Sequence, residues 1–384
     1  MLSWESLYSI KVGGMAPHVS ELSEALARRG HEVHIFTRRG DFDACDKIND
    51  VNYHRVVSDG SGDIIGQMDE MCNALFDSFE KVQNISGSFD IIHGHDWHPV
   101  IALNRIKDGH HIPCVLTIHS TEWGRKGNSF SNWHISKEIS HREWLGCYES
   151  SRVIVTTGHM LEELVNIYSV PVSKIGIIPN GIIRGKLRRT LDAGKVKEHL
   201  GISHHAPMIL FCGRISYLKG PDLLVEAIPL VLKKHKNAKF IFAGDGDLRS
   251  ECERRAKDLG AQNACRFLGY ISSPEKEKLI NACDLVCVPS RNEPFGIIVL
   301  EAWDAKKPIV ATEAVNIIRN FDDGILAYTQ PESLAWCINR LIRNPDEMKK
   351  LGKAGQRRVD SEFGWDQIAA RTEEAYNGTL RARN

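Results

Sequence analysis

No run of apolar residues in this 384-residue chain approaches the roughly 18 needed to cross a bilayer, so a membrane-spanning helix is not expected. The opening residues also lack the basic-then-apolar order of a secretory leader, and the expected location is the cytoplasm. Net charge is missing too: 49 Lys and Arg balance 49 Asp and Glu. That balance argues against a general polyanion binder and removes nucleic acid as the main partner, so any affinity for phosphate must be local. The ten cysteines form no Cys-x-x-Cys pair, and Cys212 and Cys287 sit inside apolar runs. Buried, reduced thiols are expected rather than a disulfide framework or a zinc ribbon. There is no dinucleotide-type Gly-x-Gly-x-x-Gly, no short repeat and no low-complexity tract.

What is present is ordinary globular material, 42 % apolar and 26 % charged, in a chain long enough for two cores. Short apolar runs alternate with amphipathic helical stretches. Pro17 to Gly30 reads as a helix with Val19, Leu22 and Leu26 on one face, followed by a buried strand at residues 33–37. Further strands are expected at 90–93, 115–118, 153–156 and 175–178, then at 208–212, 239–243, 265–268, 285–288, 309–312 and 325–328. Near-continuous apolar strands separated by helices argue for parallel sheets covered on both faces. The fold class is therefore α/β, with two doubly wound, Rossmann-like domains facing across a cleft. The expected divisions are an N-terminal domain over residues 1–178, a turn-rich basic linker over 179–206, a C-terminal domain over 207–360 and a terminal helix over 361–384. That helix either packs locally or crosses back to the first domain. Met1-Leu2-Ser3-Trp4 leads almost directly into a loop, so the first strand is either very short or, as expected here, upstream of this start.

Open α/β sheets bind ligands beyond the carboxyl ends of their strands, and the polar motifs lie there. After the strand 285–288 comes Glu293-Pro294-Phe295-Gly296-Ile297-Ile298-Val299-Leu300-Glu301, with a helix expected from about Phe295. The amides of Gly296, Ile297 and Ile298 would then be unpaired helix-terminal donors suited to an anion. Glu293 and Glu301 either grip sugar and ribose hydroxyls or serve as a cap and a solvated face. After the strand 208–212, Arg214 and Lys219 either converge on one dianion or belong to a solvated basic loop. Lys11-Val12-Gly13-Gly14-Met15-Ala16-Pro17-His18 opens the first helix, and its paired glycines allow a concave nest of amides.

Two strand ends in the first half carry polar clusters, His93-Gly94-His95-Asp96-Trp97-His98 and His119-Ser120-Thr121-Glu122-Trp123. The first superficially suggests a metal site, but the helical His-x-x-x-His spacing is absent and no metal is expected. Asp96 and His119 either bind sugar hydroxyls or support packing. Trp123, Trp133 and Trp144 offer aromatic faces for carbohydrate stacking or for ordinary packing.

Taken together in order, these residues resemble the nucleotide-sugar glycosyltransferases of GT-B architecture, in the large retaining family four type that includes bacterial and archaeal glycogen synthases. The resemblance rests on Glu293 and Glu301, on Arg214 and Lys219, and on Val12-Gly13-Gly14. His95-Asp96-Trp97, His119 with Thr121-Glu122, and Ile178-Pro179-Asn180-Gly181 support it. It implies that Arg214 and Lys219 bind the donor diphosphate, Glu293 the transferred sugar and Glu301 the ribose. Gly13, Gly14, Asp96, Phe295, Gly296, Ile297 and Ile298 join the donor site, and His119 lies near the anomeric carbon. His18, Thr121, Glu122 and Trp123 fall on the acceptor side. The implied reaction is retaining transfer of glucose from ADP- or UDP-glucose to an α-1,4-glucan, without metal or other cofactor. The alternatives are a small sugar, sugar phosphate or lipid-linked acceptor, or a sugar-nucleotide epimerase. Two departures stand out. The first strand is mostly missing, and Glu313-Ala314-Val315-Asn316 replaces a Gly-Gly turn, so donor contacts are not carried over to that loop.

Overall fold

The computed structural model describes residues 1–10, 13–58, 60–189 and 191–382. Lys11 and Val12 of the expected glycine loop lie outside them. The chain divides into two units, Met1–Gly181 with Trp365–Asn384, and Ile182–Gly364.

In the first unit, β1 (Val33–Arg38) lies parallel to β3 (Val51–Val56), with β2 (Cys45–Ile48) antiparallel at the edge. A second set, β4 (Ile92–His95), β5 (Cys114–Ile118), β6 (Arg152–Val155) and β7 (Ile175–Ile177), pairs in parallel in that order. Leu2 joins the two sets. It bridges Phe36 on one side and Gly94 on the other, and its N–H donates to the His93 carbonyl at 2.8 Å. Within this chain, Leu2 alone occupies the first strand's place, between β1 and β4. β4 begins two residues later than expected, which places His93 and His95 inside the sheet. The β2–β3 hairpin was not expected. Its two-residue turn puts Asn49 and Asp50 at φ 50° and 63°, which suits the twist of an antiparallel pair.

Successive residues of the strands alternate between two cores. Val153 and Val155 face one, Ile154 the other, so both sheet faces are covered. The helix Trp365–Arg381 packs in this unit against the helix Met15–Arg28, with Trp365 Nε1 donating to Glu21 at 2.6 Å.

The second unit is one six-stranded parallel sheet. Its members are β8 (Met208–Cys212), β9 (Lys239–Ala243), β10 (Cys265–Gly269), β11 (Leu285–Val288), β12 (Ile309–Thr312) and β13 (Ile325–Ala327). Their order is β10-β9-β8-β11-β12-β13, so the winding reverses between β8 and β11. Ile209 and Phe211 enter one core while Met208 and Leu210 enter the other.

Residues 182–206, expected to belong to the linker, are instead part of this unit. Ile182, Leu187, Ile202 and Ala206 are buried in its core. Burying Leu187 and Ile202 contributes about 1.5–3 kcal/mol each. The buried Asp304 carboxylate accepts from the N–H groups of Gly185 and Leu187 at 3.0 and 2.9 Å, and Arg188 Nε donates to it at 2.9 Å. The basic stretch is therefore tied down by one carboxylate that its local composition gave no sign of.

Candidate active site

The reversal between β8 and β11 leaves a crevice position at their carboxyl ends, where ligands of doubly wound sheets bind. Two loops meet there. The loop after β8 makes a single turn, Tyr217–Lys219, and reaches Gly220 at φ +64°. A Cβ on Gly220 would lie 2.0 Å from the Pro289 carbonyl oxygen, so only glycine lets this loop rest on the chain leaving β11. The consequence is chemical. Lys219 Nζ stands 2.8 Å from both carboxylate oxygens of Glu293, and Ser290 Oγ donates to the same carboxylate at 3.0 Å.

Glu293 is buried, while Lys219 remains about one-third exposed. Behind them the helix Ile297–Asp304 begins after Gly296, two residues later than expected. Gly296 has φ +88°, and a Cβ there would meet Glu293 Cγ at 3.2 Å. No side chain of the capping residue closes this helix start. Its first-turn amides lack intrahelical acceptors by geometry and carry the positive end of the helix dipole. Phe295 is buried in the adjoining core and serves packing.

Glu301 lies one turn into this helix. Lys276 Nζ donates to it at 2.5 Å. Burial opposes the charge on Lys276, but the neighbouring Glu301 carboxylate outweighs it and raises the lysine pKa. Lys276 is a site residue the sequence reading missed, since nothing local separates it from the charged residues around it. Arg291 was missed as well. It grips Asp222 at 2.8 and 2.5 Å and lies over the Tyr217 ring at 4.0 Å, bracing the Lys219 loop. A third omission is Gly244-Asp245-Gly246, a Gly-x-Gly following β9. Its Asp245 carbonyl accepts from the Ile215 N–H at 2.9 Å and so holds the Arg214 loop. Arg214 itself is exposed, and its side chain has no partner among the described residues. In the loop after β12, Val315 forms a backbone bridge to Glu293.

The first unit gathers a different set. β4 ends at His95, and the next residue, Asp96, adopts φ 57°, a left-handed conformation that aspartate tolerates better than most residues. Its Oδ1 accepts the His119 N–H at 2.6 Å. Burial pushes the Asp96 carboxyl up to about 6, against the opposing pull of Arg125 and backbone donors. His95 Nδ1 lies 3.3 Å from His119 Nε2, and the ring of His18 stands 4.6 Å from that of His119. Burial lowers the His119 pKa to about 4 and takes His18 and His95 well below the usual range. The three imidazoles are neutral at pH 7. His93, by contrast, is satisfied within the core by Tyr376 and Thr117, each at 2.7 Å.

Several expected residues turn inward. Thr121 caps a short helix through Gly124 N–H at 3.0 Å and donates to Glu163. The N–H of Glu122 donates to both oxygens of Glu143 at 2.9 Å, and its carboxylate takes Arg125 Nε at 3.1 Å and Ser136. Both side chains, read from sequence as acceptor-side groups, are spent on internal bonds, because the loop folds onto the buried Glu143 and its half-buried partner Arg125. Trp123 is half-buried. The glycine nest also differs from expectation. The buried carboxylate of Glu5 accepts Gly13 N–H at 2.9 Å and Ala16 N–H at 3.2 Å. Donors expected to face a phosphate are therefore partly answered from within the unit.

The chain thus combines two α/β units built on parallel strands, the second with a cation–carboxylate pair at its switch point. Two family models match, "Glycosyltransferase Family 4" over residues 12–184 and "Glycosyl transferases group 1" over residues 192–358. The chain is 34 % identical to an uncharacterized glycosyltransferase of Methanocaldococcus jannaschii, over 98 % of this chain and 97 % of that one. It is 27 % identical to a glycogen synthase of Mycobacterium tuberculosis, with 99 % and 94 % covered. A D-inositol 3-phosphate glycosyltransferase of Xylanimonas cellulosilytica shares 29 % identity, with 97 % and 93 % covered. In fold, the chain matches the sucrose-phosphate synthase of Thermosynechococcus elongatus at a TM-score of 0.81, with 21 % identity and 99 % of both chains covered. The chain belongs to the GT-B glycosyltransferases of the family 4 type.

Proposed function

We propose that this glycosyltransferase moves glucose from ADP-glucose or UDP-glucose to an α-1,4-glucan with retention of anomeric configuration. The observation that carries the reading is the Lys219–Glu293 pair at the uncapped start of the helix Ile297–Asp304, with Arg214 exposed in the same loop as Lys219. A departing nucleoside diphosphate gathers negative charge as the bond from its oxygen to the anomeric carbon breaks. Fixed cations and helix-terminal amides lower the barrier most when they meet charge that develops only in the transition state. Arg214, Lys219 and the amides at 296–298 take that role. When Lys219 turns to the diphosphate, the Glu293 carboxylate is released to accept hydroxyls of the transferred sugar. Glu301, held by Lys276, accepts from the ribose. His119, neutral and fixed through its backbone by Asp96, is assigned to the sugar near the anomeric carbon. The acceptor hydroxyl attacks from the face the diphosphate leaves, and its proton passes to the departing oxygen. No protein nucleophile takes part in this scheme, and no metal is assigned a step. The glucan acceptor draws on the resemblance to the mycobacterial glycogen synthase.

The test is a donor panel of ADP-glucose, UDP-glucose and GDP-mannose, with and without glycogen, read by nucleoside diphosphate release. Release from a glucose donor that depends on glycogen is the expected result. Release from GDP-mannose alone would overturn the glucose assignment, and release independent of glycogen would overturn the acceptor.

A further inference from the structure

The histidine cluster of the first unit contains more than the transfer reaction uses. His18 comes from the first helix, His95 from the end of β4 and His119 from the chain after β5, so three separate elements deliver three imidazoles to one place. One ring nitrogen from each lies within 4.8 Å of the other two. His95 Nδ1 and His119 Nε2 are already 3.3 Å apart. That is about the edge of a tetrahedron around a zinc ion with Zn–N bonds of roughly 2.0–2.1 Å.

The hydrogen bonds around the cluster leave one lone pair without a protein partner. His18 Nδ1 faces the Asn180 side-chain oxygen at 2.8 Å, which requires the ring proton to sit on Nδ1. His18 Nε2 is then a bare acceptor, buried and without a partner. An outer carbonyl that fixes the tautomer of a ring whose other nitrogen is open is the usual arrangement around a metal-ligating histidine. Buried polar atoms left unpaired destabilise a fold, and a bound ion removes that cost.

We propose that His18, His95 and His119 bind one divalent transition-metal ion, with the fourth position open to water or an anion. Three imidazoles without a carboxylate select zinc, copper, nickel or cobalt over magnesium or calcium, which prefer oxygen ligands. Occupancy would hold His119 away from the sugar and so slow transfer; this consequence, unlike the binding itself, rests on the function proposed above.

The experiment titrates chelator-treated, untagged full chain with Zn2+ by calorimetry, and with Co2+ by the visible absorption of a tetrahedral complex. One zinc per chain is expected, not displaced by excess Mg2+. His18→Gln and His95→Ala should each weaken binding by more than the roughly 10–100-fold that loss of an outer partner costs, and Asn180→Ala by about that amount. Circular dichroism checks the fold of each variant, and Asn180→Ala keeps the test open if His95→Ala does not fold. Absence of zinc binding, or binding unchanged in folded His18→Gln or Asn180→Ala, would overturn the site. Zinc bound through these residues without slowing transfer would confirm the site and overturn its regulatory role.

Discussion

The two units are built alike and equipped in opposite ways. At the switch point of the second, ionised groups stand in pairs, Lys219 with Glu293 and Lys276 with Glu301. At the corresponding strand ends of the first, the groups are buried imidazoles that burial keeps neutral, and a carboxyl, Asp96, raised to about 6. A sheet with helices on both faces sets where a site can lie, and the loop residues set its charge. Paired charges suit a ligand that is itself charged, because each partner can be exchanged for a ligand group at little desolvation cost. Neutral, desolvated rings suit hydroxyls, or a metal ion, and would repel neither.

The charged pair of the second unit is most easily unseated at Gly220. In Gly220→Ala the new Cβ meets the Pro289 carbonyl oxygen at 2.0 Å in a backbone conformation that alanine disfavours. The loop must shift, carrying Lys219 from Glu293. Transfer is expected to fall by more than about 100-fold, since an angstrom of misplacement at a reacting centre costs about that much. Thermal unfolding should show a loss of roughly 1–3 kcal/mol from the strained residue alone. A variant with full activity would mean that the seating of this loop does not matter.

A smaller effect is expected from Lys276→Met, which leaves Glu301 in its half-buried position without its cation. The KM for the donor should rise about ten-fold with kcat changed less, because the ribose is held equally in the ground and transition states. A loss confined to kcat would contradict the assignment of Glu301 to binding.

The smallest effect concerns acid. Burial holds His98 well below its ordinary value of 6.5, among Trp97, Trp4 and the nearby Arg125 and Arg38 charges. The unfolded chain therefore takes up a proton on this residue below about pH 6.5 that the native chain refuses, so stability falls as pH falls through that value. One such group contributes up to about 1.4 kcal/mol per pH unit. Glu143, raised to about 7 by burial, works in the opposite sense, since its native form holds a proton that the unfolded carboxylate gives up. His98→Phe should flatten the acid side of the melting profile relative to the parent chain, and an unchanged slope would show that His98 is not the group responsible.

Much of the architecture was readable because buried parallel strands leave near-continuous apolar runs, as at Met208–Cys212 and Leu285–Val288. The β2–β3 hairpin was not, since β3 alternates buried Val51, Tyr53 and Arg55 with partly exposed neighbours and so reads as polar. Leu2 gave no periodic signal because a one-residue strand has no period. In the site, Glu293 and Lys219 were legible from their positions after strands, but their mutual bond spans 74 residues. Lys276, the Glu5 cap and the meeting of His18 with His95 and His119 depend on such distant contacts alone, and local pattern carries no trace of them.

Charge in the second unit is proposed to serve the departing diphosphate, and Lys219→Ala separates that role from simple donor binding. Donor affinity measured by calorimetry and turnover measured with saturating donor and glycogen separate the two roles. Turnover is expected to fall by about 100–1,000-fold while donor affinity falls far less. An equal loss in both, or a loss in affinity alone, would contradict it.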